Sequence, residues 1–392
     1  MKLSGVIDKM EENIIYLDYA ANTPVDENVL KVFNTACKKY IANPNSTHKL
    51  GTLAKEQIDK STSNILKLLK EHTKINDNME IIYTSGSSES NNLAIKGVAR
   101  SYRQNGKHII TTFLEHSSVS SPLTSLKEQG YEIDILNINK NGQVDIDSLK
   151  ELIRKDTILV SVSYVDSETG IIQNINEISE VIKNYPNCFF MCDCTQAIGK
   201  IDVNLSNVDL ITFAPHKFYG LNGFGVLLKR NDVILEPIIH GGASTSIYRS
   251  GTPVTPQIIA LEKALDLAFF NQEERYVYVS DLNKYLRNSL LKYDLVQINS
   301  IDNDNPFILN LSVKGIKAVD FKEELEKYYV CISIKSACSV TLTPSRIVMA
   351  LTKDRKRAMS SWRISLSHLC TKEEIDKFLE IFDICYKKLC MK

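Results

Sequence analysis

The chain has 392 residues and a formal net charge of zero, because its 47 Lys and Arg are balanced by 47 Asp and Glu. With 43% hydrophobic and 24% charged residues, it has the composition of a globular protein, and its length predicts two or three domains. The balanced charge argues against direct binding of nucleic acid or of an acidic membrane surface. No run approaches the roughly 18 apolar residues of a membrane span, and residues 1–12 lack the apolar core of a signal peptide.

The nine cysteines include no CxxC pair and do not form the even, dense framework of a disulfide-rich secreted protein. We therefore interpret them as reduced thiols and expect a cytoplasmic protein. Cys192 and Cys194 are too closely spaced for a usual zinc site and are predicted to be small core residues. No metal site is expected.

Short apolar runs alternate with amphipathic stretches over the first two thirds of the chain. Strands are predicted at residues 14–17, 81–83, 108–112, 133–138, 158–165, 188–192, 210–213 and 225–228, and helices at 24–40, 53–69, 90–102, 146–154 and 175–184. Strands that alternate with helices need crossover connections, which predicts a mostly parallel sheet covered on both faces. The unbroken apolar run at 188–192 is typical of a strand buried on both sides.

The pattern changes after about residue 255. Long helices are predicted at 258–270 and 281–293, a strand at 307–313, and a final helix from Thr371, whose spacing to Glu374 is that of a capping box. We therefore predict a large α/β domain over residues 16–255 and a smaller α+β domain over residues 256–392. Residues 1–15 are expected to pack with the smaller domain.

Four polar segments stand out, and each also has an ordinary structural interpretation. Residues 84–90 join a strand to a helix and form either a phosphate-binding helix start or a common cap. Asp193 ends an apolar strand shortly before Gln196, and either holds a cationic ring nitrogen or caps the next helix. Lys217 is either a semi-buried amine nucleophile or a solvated loop lysine, and Cys338 is either an exposed loop thiol or a buried structural cysteine.

The order of these segments is more specific than any one of them. A phosphate cradle, a ring-nitrogen partner and a Schiff-base lysine are the parts of a pyridoxal phosphate site, and a distant thiol follows them. Together they favour pyridoxal 5'-phosphate as the cofactor.

The chain resembles the cysteine desulfurases, which are pyridoxal phosphate enzymes of the aminotransferase class V, fold-type I group, and it is most similar to their NifS/IscS-like branch. The resemblance rests on ordered motifs at residues 16–24, 43–48, 84–92, 115–116, 193–199, 216–217, 249–252, 336–338 and 362–366. It implies a large domain with a mostly parallel seven-stranded sheet flanked by helices, a smaller C-terminal domain, and a homodimer.

By position, the resemblance implies a role for each cofactor-binding residue. Lys217 would join the cofactor covalently and move protons, and Asp193 would pair with the pyridinium nitrogen. Gln196 would contact the ring hydroxyl, and His116 would stack on the ring and relay a proton to or from the substrate. The phosphate ligands would be Ser87, Ser88, His216 and, from a second subunit, Thr252.

The resemblance also implies how the substrate is handled. Arg363 would bind the carboxylate of L-cysteine, and Cys338 would attack the substrate sulfur, which yields L-alanine and a persulfide for an acceptor protein. Two positions depart from the family pattern. Ser167 stands where an asparagine contacts substrate or ring, and Ala214 stands where a serine often binds phosphate, so the resemblance does not fix substrate preference or cofactor affinity.

Three hypotheses stay open. The first is a cysteine desulfurase whose sulfur acceptor is an iron–sulfur scaffold or a tRNA-thiolation enzyme. The second, motivated by Ser167 and Ala214, is a related lyase such as a selenocysteine lyase. The third is a partner-binding protein that keeps the fold without turnover. A dinucleotide-binding dehydrogenase is disfavoured, because no GxGxxG motif follows the first strand.

Overall fold

The structure is a computed structural model that describes residues 14–243, 246–301, 305–335 and 343–390. In chain order the strands are β1 (Ile15–Tyr16), β2 (Met79–Thr84), β3 (His108–Thr111), β4 (Glu132–Ile135), β5 (Thr157–Ser161), β6 (Phe189–Asp193), β7 (Leu210–Phe213), β8 (Gly225–Arg230), β9 (Val296–Ile298), β10 (Ile308–Val313), β11 (Val330–Cys331) and β12 (Ser361–Ser365).

The helices lie between these strands and at the end of the chain. They are α1 (Glu27–Lys39), α2 (Lys49–Thr73), α3 (Ser87–Ser101), α4 (Ser117–Glu128), α5 (Ile146–Leu152), α6 (Ile175–Ile182), α7 (Thr255–Phe270), α8 (Gln272–Leu290), α9 (Ala318–Glu326), α10 (Arg346–Thr352), α11 (Arg355–Met359) and α12 (Lys372–Cys390). None of the helices among the described residues combines the length and apolar character that crossing a membrane requires.

The chain folds into two compact units. The sheet unit comprises Thr23–Val165 and Ile172–Gln272, and the terminal unit comprises Asp166–Ile171 and the described residues of Met1–Asn22 and Glu273–Lys392. The units divide after Gln272 because α7 packs against α1 and α2 inside the sheet unit. The domain bounds drawn from the sequence, 16–255 and 256–392, stay predictions.

A seven-stranded sheet with the order β2-β8-β7-β6-β5-β3-β4 forms the centre of the sheet unit. Strands β4, β3, β5, β6 and β7 run parallel, and β8 is antiparallel to both of its neighbours. The predicted mostly parallel, seven-stranded sheet is therefore confirmed. Because the strands are parallel, their carboxyl ends meet at one edge, where ligands of open α/β sheets bind.

Both faces of this sheet are buried, and alternate residues of a strand enter opposite cores. On β6, Phe190 and Cys192 pack in a core with side chains of α2, α6 and α7. Phe189 and Met191 pack in the second core, which α3 and α4 cover. Asp193 lies two residues after Met191 on the same face of the strand, so its carboxylate is directed toward α3.

The terminal unit has a three-stranded antiparallel sheet with the order β12-β10-β9, and a parallel pair formed by β1 and β11. Its core is rich in aromatic side chains. The rings of Phe321 and Trp362 stack with their centroids 5.3 Å apart, and the ring centroid of Phe382 lies 5.2 Å from that of Phe321. Arg363 follows Trp362 on β12, and by strand alternation the two side chains leave on opposite faces. Both are buried.

The sequence predicted every strand of the seven-stranded sheet, but it did not predict α4, α9, α10, α11, β9, β11 or β12. Helix α4 opens with serines and contains Pro122, which are poor helix formers, so its sequence carries little helical signal. The missed strands have two to five residues and offer too few positions for a period of two to be recognised. Pairing with a strand distant in sequence, not a local pattern, defines these three strands.

Replacing Phe382 with alanine is expected to destabilise the terminal unit by about 3–5 kcal/mol, because the fully buried ring contacts Tyr293, Phe321 and Phe378. Trp362 is the one tryptophan of the sequence and lies in the same core, so its fluorescence during urea unfolding reports on this unit. The matched control is Ile384→Ala in the same helix, where the side chain is 48% exposed and the expected loss is below about 1 kcal/mol. Equal losses in the two variants would contradict the packing described here.

Candidate active site

Polar side chains collect where the parallel strands of the sheet unit end. The segment after β3 carries Glu115 and His116, β6 ends at Asp193, and the segment after β7 carries Lys217. These residues are far apart in sequence, but β6 and β7 are adjacent in the sheet, and only β5 separates β6 from β3. The sheet edge therefore assembles the predicted cofactor-binding residues of this unit.

Asp193 is a buried carboxylate that is held only by neutral donors. Its Oδ1 accepts from the main-chain N–H of Thr195 at 2.9 Å, and its Oδ2 accepts from the Asn91 side-chain amide at 2.8 Å. Asp193 is 6% exposed and forms no ion pair with a lysine or arginine of the described residues. Since a buried carboxylate is costly without a cation, this site fits the cationic ring nitrogen predicted from the sequence.

The start of α3 has the properties of an anion cradle. Gly86 is its N-cap residue and provides no side-chain cap, and Ser87 and Ser88 are the first residues of the helix. A Cβ built at Gly86 would meet no atom within 4 Å, so the space beside the helix start is open. A Cβ at Gly225 would instead come within 2.3 Å of the Gly86 backbone, so only glycine fits behind the turn. The main-chain N–H groups of the first helical turn are thus available to an anion.

A rigid turn carries Lys217. Pro215–Lys217 form one 3-10 turn directly after β7, and both the main-chain N–H and the hydroxyl of Thr23 donate to the His216 carbonyl, at 3.0 and 2.9 Å. Tyr219 has a φ of 69°, and its N–H donates to Thr23 Oγ1 at 2.8 Å. Lys217 is half-buried, so its side chain is partly removed from solvent.

His216 is a neutral histidine in a cationic environment. Burial, and then the positive charges of Lys217 and Lys200, lower its pKa from the usual range to about 4. Its buried Nδ1 has no hydrogen-bond partner among the described residues. A polar atom left unsatisfied in this way fits an interaction with a bound group, as the predicted phosphate contact requires.

Gln196 is held by a second lysine. Lys200 Nζ donates to Gln196 Oε1 at 2.8 Å, and both residues are buried. Because an ammonium group only donates, this bond turns the amide oxygen toward Lys200 and the amide nitrogen away from it. Gln196 is therefore oriented as a hydrogen-bond donor, which suits the predicted contact with a ring hydroxyl.

Glu115, next to His116, is a fully buried acid. Thr112 Oγ1 donates to its Oε1 at 2.8 Å, and the Ser163 hydroxyl donates to its Oε2 at 2.6 Å. Burial and, to a smaller extent, the charge of Asp193 raise the pKa of Glu115 to about 7, although the hydrogen bonds oppose this rise. Glu115 joins the segments that follow β3 and β5, and so fixes the backbone that carries His116.

In the terminal unit, Arg363 is held on two sides. Its Nη2 donates to Asp18 Oδ1 at 2.8 Å, and its Nη1 donates to the Ser167 carbonyl at 2.6 Å. Asp18 is itself fixed, since its Oδ2 accepts from Ser333 Oγ at 2.8 Å. The buried Nε of Arg363 has no partner within the described ranges. The guanidinium is thus oriented with a donor left over, which fits a substrate carboxylate. Ser167 contributes its main-chain oxygen to this arrangement.

The described residues do not place two of the predicted site residues, Thr252 and Cys338, in the site. Thr252 is exposed in the sheet unit, and its role in a second subunit stays a prediction. Cys338 lies outside the described residues. Lys335 and Thr343 are the described residues that flank positions 336–342. Lys335 Nζ donates to the Thr343 carbonyl and, at 3.0 Å, to Thr343 Oγ1, so two hydrogen bonds join the two flanking residues. Burial lowers the pKa of Lys335.

Asn91, Asp18, Ser118 and Lys200, to which no sequence motif gave a role, hold the predicted residues in place. A signal exists for Asn91, because it lies on the same face of α3 as Ala94, Ile95 and Val98, which are all buried. A polar side chain on an apolar helix face needs a buried partner, and Asp193 is that partner. For Asp18 the partner is 345 positions away, which no local pattern indicates.

Comparison with known proteins gives concordant matches. The aminotransferase class-V family matches residues 15–378. The chain is 35% identical over 380 residues to a Dictyoglomus turgidum protein named cysteine desulfurase IscS, an alignment that covers 96% of this chain and 95% of that protein. It is 39% identical over 373 residues to a protein of the same name from Buchnera aphidicola subsp. Schizaphis graminum, with 93% and 90% covered. A solved NifS-like protein matches with a TM-score of 0.86 and 29% identity, and covers 94% of this chain and 98% of that one.

We expect Glu115→Gln to reduce the dependence of stability on pH. The pKa of Glu115 in the folded protein lies above its ordinary value, so the folded protein favours the protonated carboxyl group. The resulting contribution to the free energy of unfolding is fully present below about pH 4.5 and is lost as the pH rises through about 7. Between about pH 5 and pH 8 this loss is on the order of 2 kcal/mol. Glutamine keeps the shape and does not ionise, so urea unfolding of the variant should lack this component.

Glu128→Gln is the matched control, because Glu128 is exposed at the end of α4. Its unfolding free energy should follow that of the wild-type protein at each pH. A wild-type pH profile retained in Glu115→Gln would show that Glu115 titrates as an ordinary carboxyl group.

Proposed function

Because this chain belongs to the aminotransferase class-V family and, within it, to the cysteine desulfurases, we propose that it binds pyridoxal 5'-phosphate at the edge of its seven-stranded sheet. It would convert L-cysteine to L-alanine and leave a persulfide on Cys338. The observation that carries the proposal is the buried carboxylate of Asp193, which has only neutral partners among the described residues. A cationic ring nitrogen would satisfy it.

The residues of the sheet unit fit the rest of this cofactor. The open start of α3 with Ser87 and Ser88, together with the unsatisfied Nδ1 of His216, supports phosphate binding. Gln196, oriented as a donor by Lys200, suits the ring hydroxyl. When bound, pyridoxal phosphate withdraws electrons from the substrate and so labilises its Cα proton.

Lys217 would handle protons beside the cofactor, and His116 would stack on its ring. The short turn of Pro215–Lys217 fixes the main chain of Lys217, which limits the directions from which its amine reaches the substrate. The neutral state of His216 limits the positive charge around this amine, because His216 adds none. Lys217 is therefore suited to accept and return a proton at the substrate carbon.

Arg363 would orient the substrate through its carboxylate. The bonds from Arg363 to Asp18 and to the Ser167 carbonyl hold its guanidinium in one plane before substrate binds. The buried Nε–H, unsatisfied within the described residues, remains as a donor for a carboxylate oxygen. A lysine could not reproduce this, since it offers a point charge in place of a planar fork.

Cys338 would act as the nucleophile for sulfur transfer. Its thiolate would attack the substrate sulfur: the S–S bond of the persulfide forms, the Cβ–S bond breaks, and its electron pair stays with the carbon skeleton, which takes a proton to become alanine. The persulfide would pass to an acceptor protein, an iron–sulfur scaffold or a tRNA-thiolation enzyme. A homodimer with Thr252 at the partner's site, and a cytoplasmic location, belong to the same proposal.

The direct test begins with the visible spectrum of the protein incubated with pyridoxal phosphate, before and after borohydride. We expect a coloured protein, a bleached spectrum after reduction, and a modified peptide that contains Lys217. Lys217→Ala should lower alanine formation from L-cysteine by at least about 10²-fold, because it removes the proton-transferring amine. A protein that stays colourless would favour the partner-binding hypothesis.

Sulfur transfer is tested separately with Cys338→Ser. This variant should keep its spectrum but form no persulfide on the chain, whereas Cys37→Ser, which replaces an exposed thiol, should behave as the wild type. Full sulfur transfer by Cys338→Ser would rule out the proposed nucleophile. Equal or faster turnover of L-selenocysteine would favour the lyase hypothesis.

Arg363→Lys is expected to raise the KM for L-cysteine about 10- to 100-fold, because the oriented guanidinium is lost and lysine cannot bind a carboxylate bidentately. The cofactor spectrum without substrate should be unchanged. Arg355→Lys replaces an exposed arginine of α11 and is the control, with an expected KM equal to that of the wild type. An unchanged KM in Arg363→Lys would remove this residue from the substrate site.

A further inference from the structure

A chain of hydrogen bonds inside the sheet unit joins His116 to Asp193. Asn91 Nδ2 lies 2.8 Å from Asp193 Oδ2 and 2.8 Å from Ser118 Oγ. Ser118 Oγ lies 2.8 Å from His116 Nδ1. Asn91 is fully buried and stands at the branch point of the chain. The resemblance assigned no role to Asn91 or Ser118.

The chemistry of Asp193 fixes the direction of the first bonds. An ionised carboxylate only accepts, so the Asn91 amide nitrogen must face it. The amide oxygen then accepts from the Thr212 hydroxyl, at 2.5 Å. Both hydrogens of the Asn91 nitrogen are used, one on Asp193 and one on Ser118. The amide cannot flip without breaking all three bonds.

The same logic extends to His116. Since Ser118 Oγ accepts from Asn91, the Ser118 hydroxyl hydrogen is directed to His116 Nδ1. The main-chain N–H of Ser118 also donates to Nδ1, at 3.1 Å, and a main-chain N–H can only donate. Nδ1 therefore accepts from two donors. A neutral imidazole with an accepting Nδ1 carries its hydrogen on Nε2.

We propose that Asn91 and Ser118 are positioning residues that hold neutral His116 as its Nε2–H tautomer and couple its ring to the carboxylate of Asp193. The task of His116 at the cofactor rests on the proposed function, but the tautomer depends only on this hydrogen-bond chain. In this state His116 donates a hydrogen bond through Nε2 and cannot take a proton there. The proton from the substrate carbon then goes to Lys217.

The tautomer is measured in the holoprotein labelled with ¹⁵N-histidine, by long-range ¹H–¹⁵N correlation. His116→Gln assigns the signal among the seven histidines of the sequence. We expect the wild-type pattern to be that of an Nε2–H imidazole, and Ser118→Ala to shift it toward a mixture of tautomers. Ser118→Thr keeps the hydroxyl and should restore the wild-type pattern.

Ser117→Ala is the matched control, because Ser117 precedes Ser118 in α4 and does not belong to the series of hydrogen bonds from His116 to Asp193. Its His116 signal should equal that of the wild type, and the other six histidine signals report whether each variant is folded. Asn91→Ala removes the branch point, so it should perturb the His116 signal and also weaken binding of pyridoxal phosphate to the apoprotein about tenfold or more.

The proposal is overturned if the wild-type ring carries its hydrogen on Nδ1, or if Ser118→Ala leaves the His116 pattern as unchanged as Ser117→Ala does. An unperturbed His116 signal in folded Asn91→Ala would overturn the coupling to Asp193. Failure of the proposed function would have a different signature, because a protein without desulfurase activity could still show the Nε2–H pattern and its loss in Ser118→Ala.

Discussion

A carboxylate buried at the carboxyl end of a central strand is the constraint on which the candidate site depends. Asp193 sits where β6 ends, and within the described residues only neutral groups donate to it. Burying a charge in this way costs stability unless a cation completes the pairing. The surrounding fold holds hydrogen-bonding groups next to the carboxylate. Helix α3 places Asn91, which donates to Asp193, and the register of β6 with β7 places Thr212, which donates to Asn91.

Two titratable groups near this carboxylate have pKa values shifted by burial. His216 is neutral because burial and two lysines lower its pKa to about 4, and Glu115 is partly protonated near neutral pH because burial raises its pKa to about 7. His216 thus adds no positive charge to the site, and Glu115 carries only part of its negative charge near neutral pH. The interactions of Asp193 and of Lys217 with a bound group are then less opposed by their surroundings.

The two units hold different parts of the proposed chemistry. The sheet unit contains the residues that suit the ring and the phosphate of the cofactor, and the terminal unit contains the arginine that suits the substrate carboxylate. In each unit a side chain proposed to bind cofactor or substrate is oriented by a charged neighbour, Lys200 for Gln196 and Asp18 for Arg363. Such preorganisation lowers the cost of ordering these groups when a ligand binds.

The class of fold and the ordered motifs follow from the amino-acid sequence alone, because the alternation of apolar strands with amphipathic helices and the residues near Asp193 and Lys217 are local patterns. The residues that support these motifs are set by long-range contacts in the folded protein. Asn91 reaches Asp193 across 102 positions, and Asp18 reaches Arg363 across 345. Short elements such as β12 likewise exist because a distant strand supplies their hydrogen bonds. Contacts of this kind depend on how strands are ordered in a sheet, and no local periodicity encodes that order.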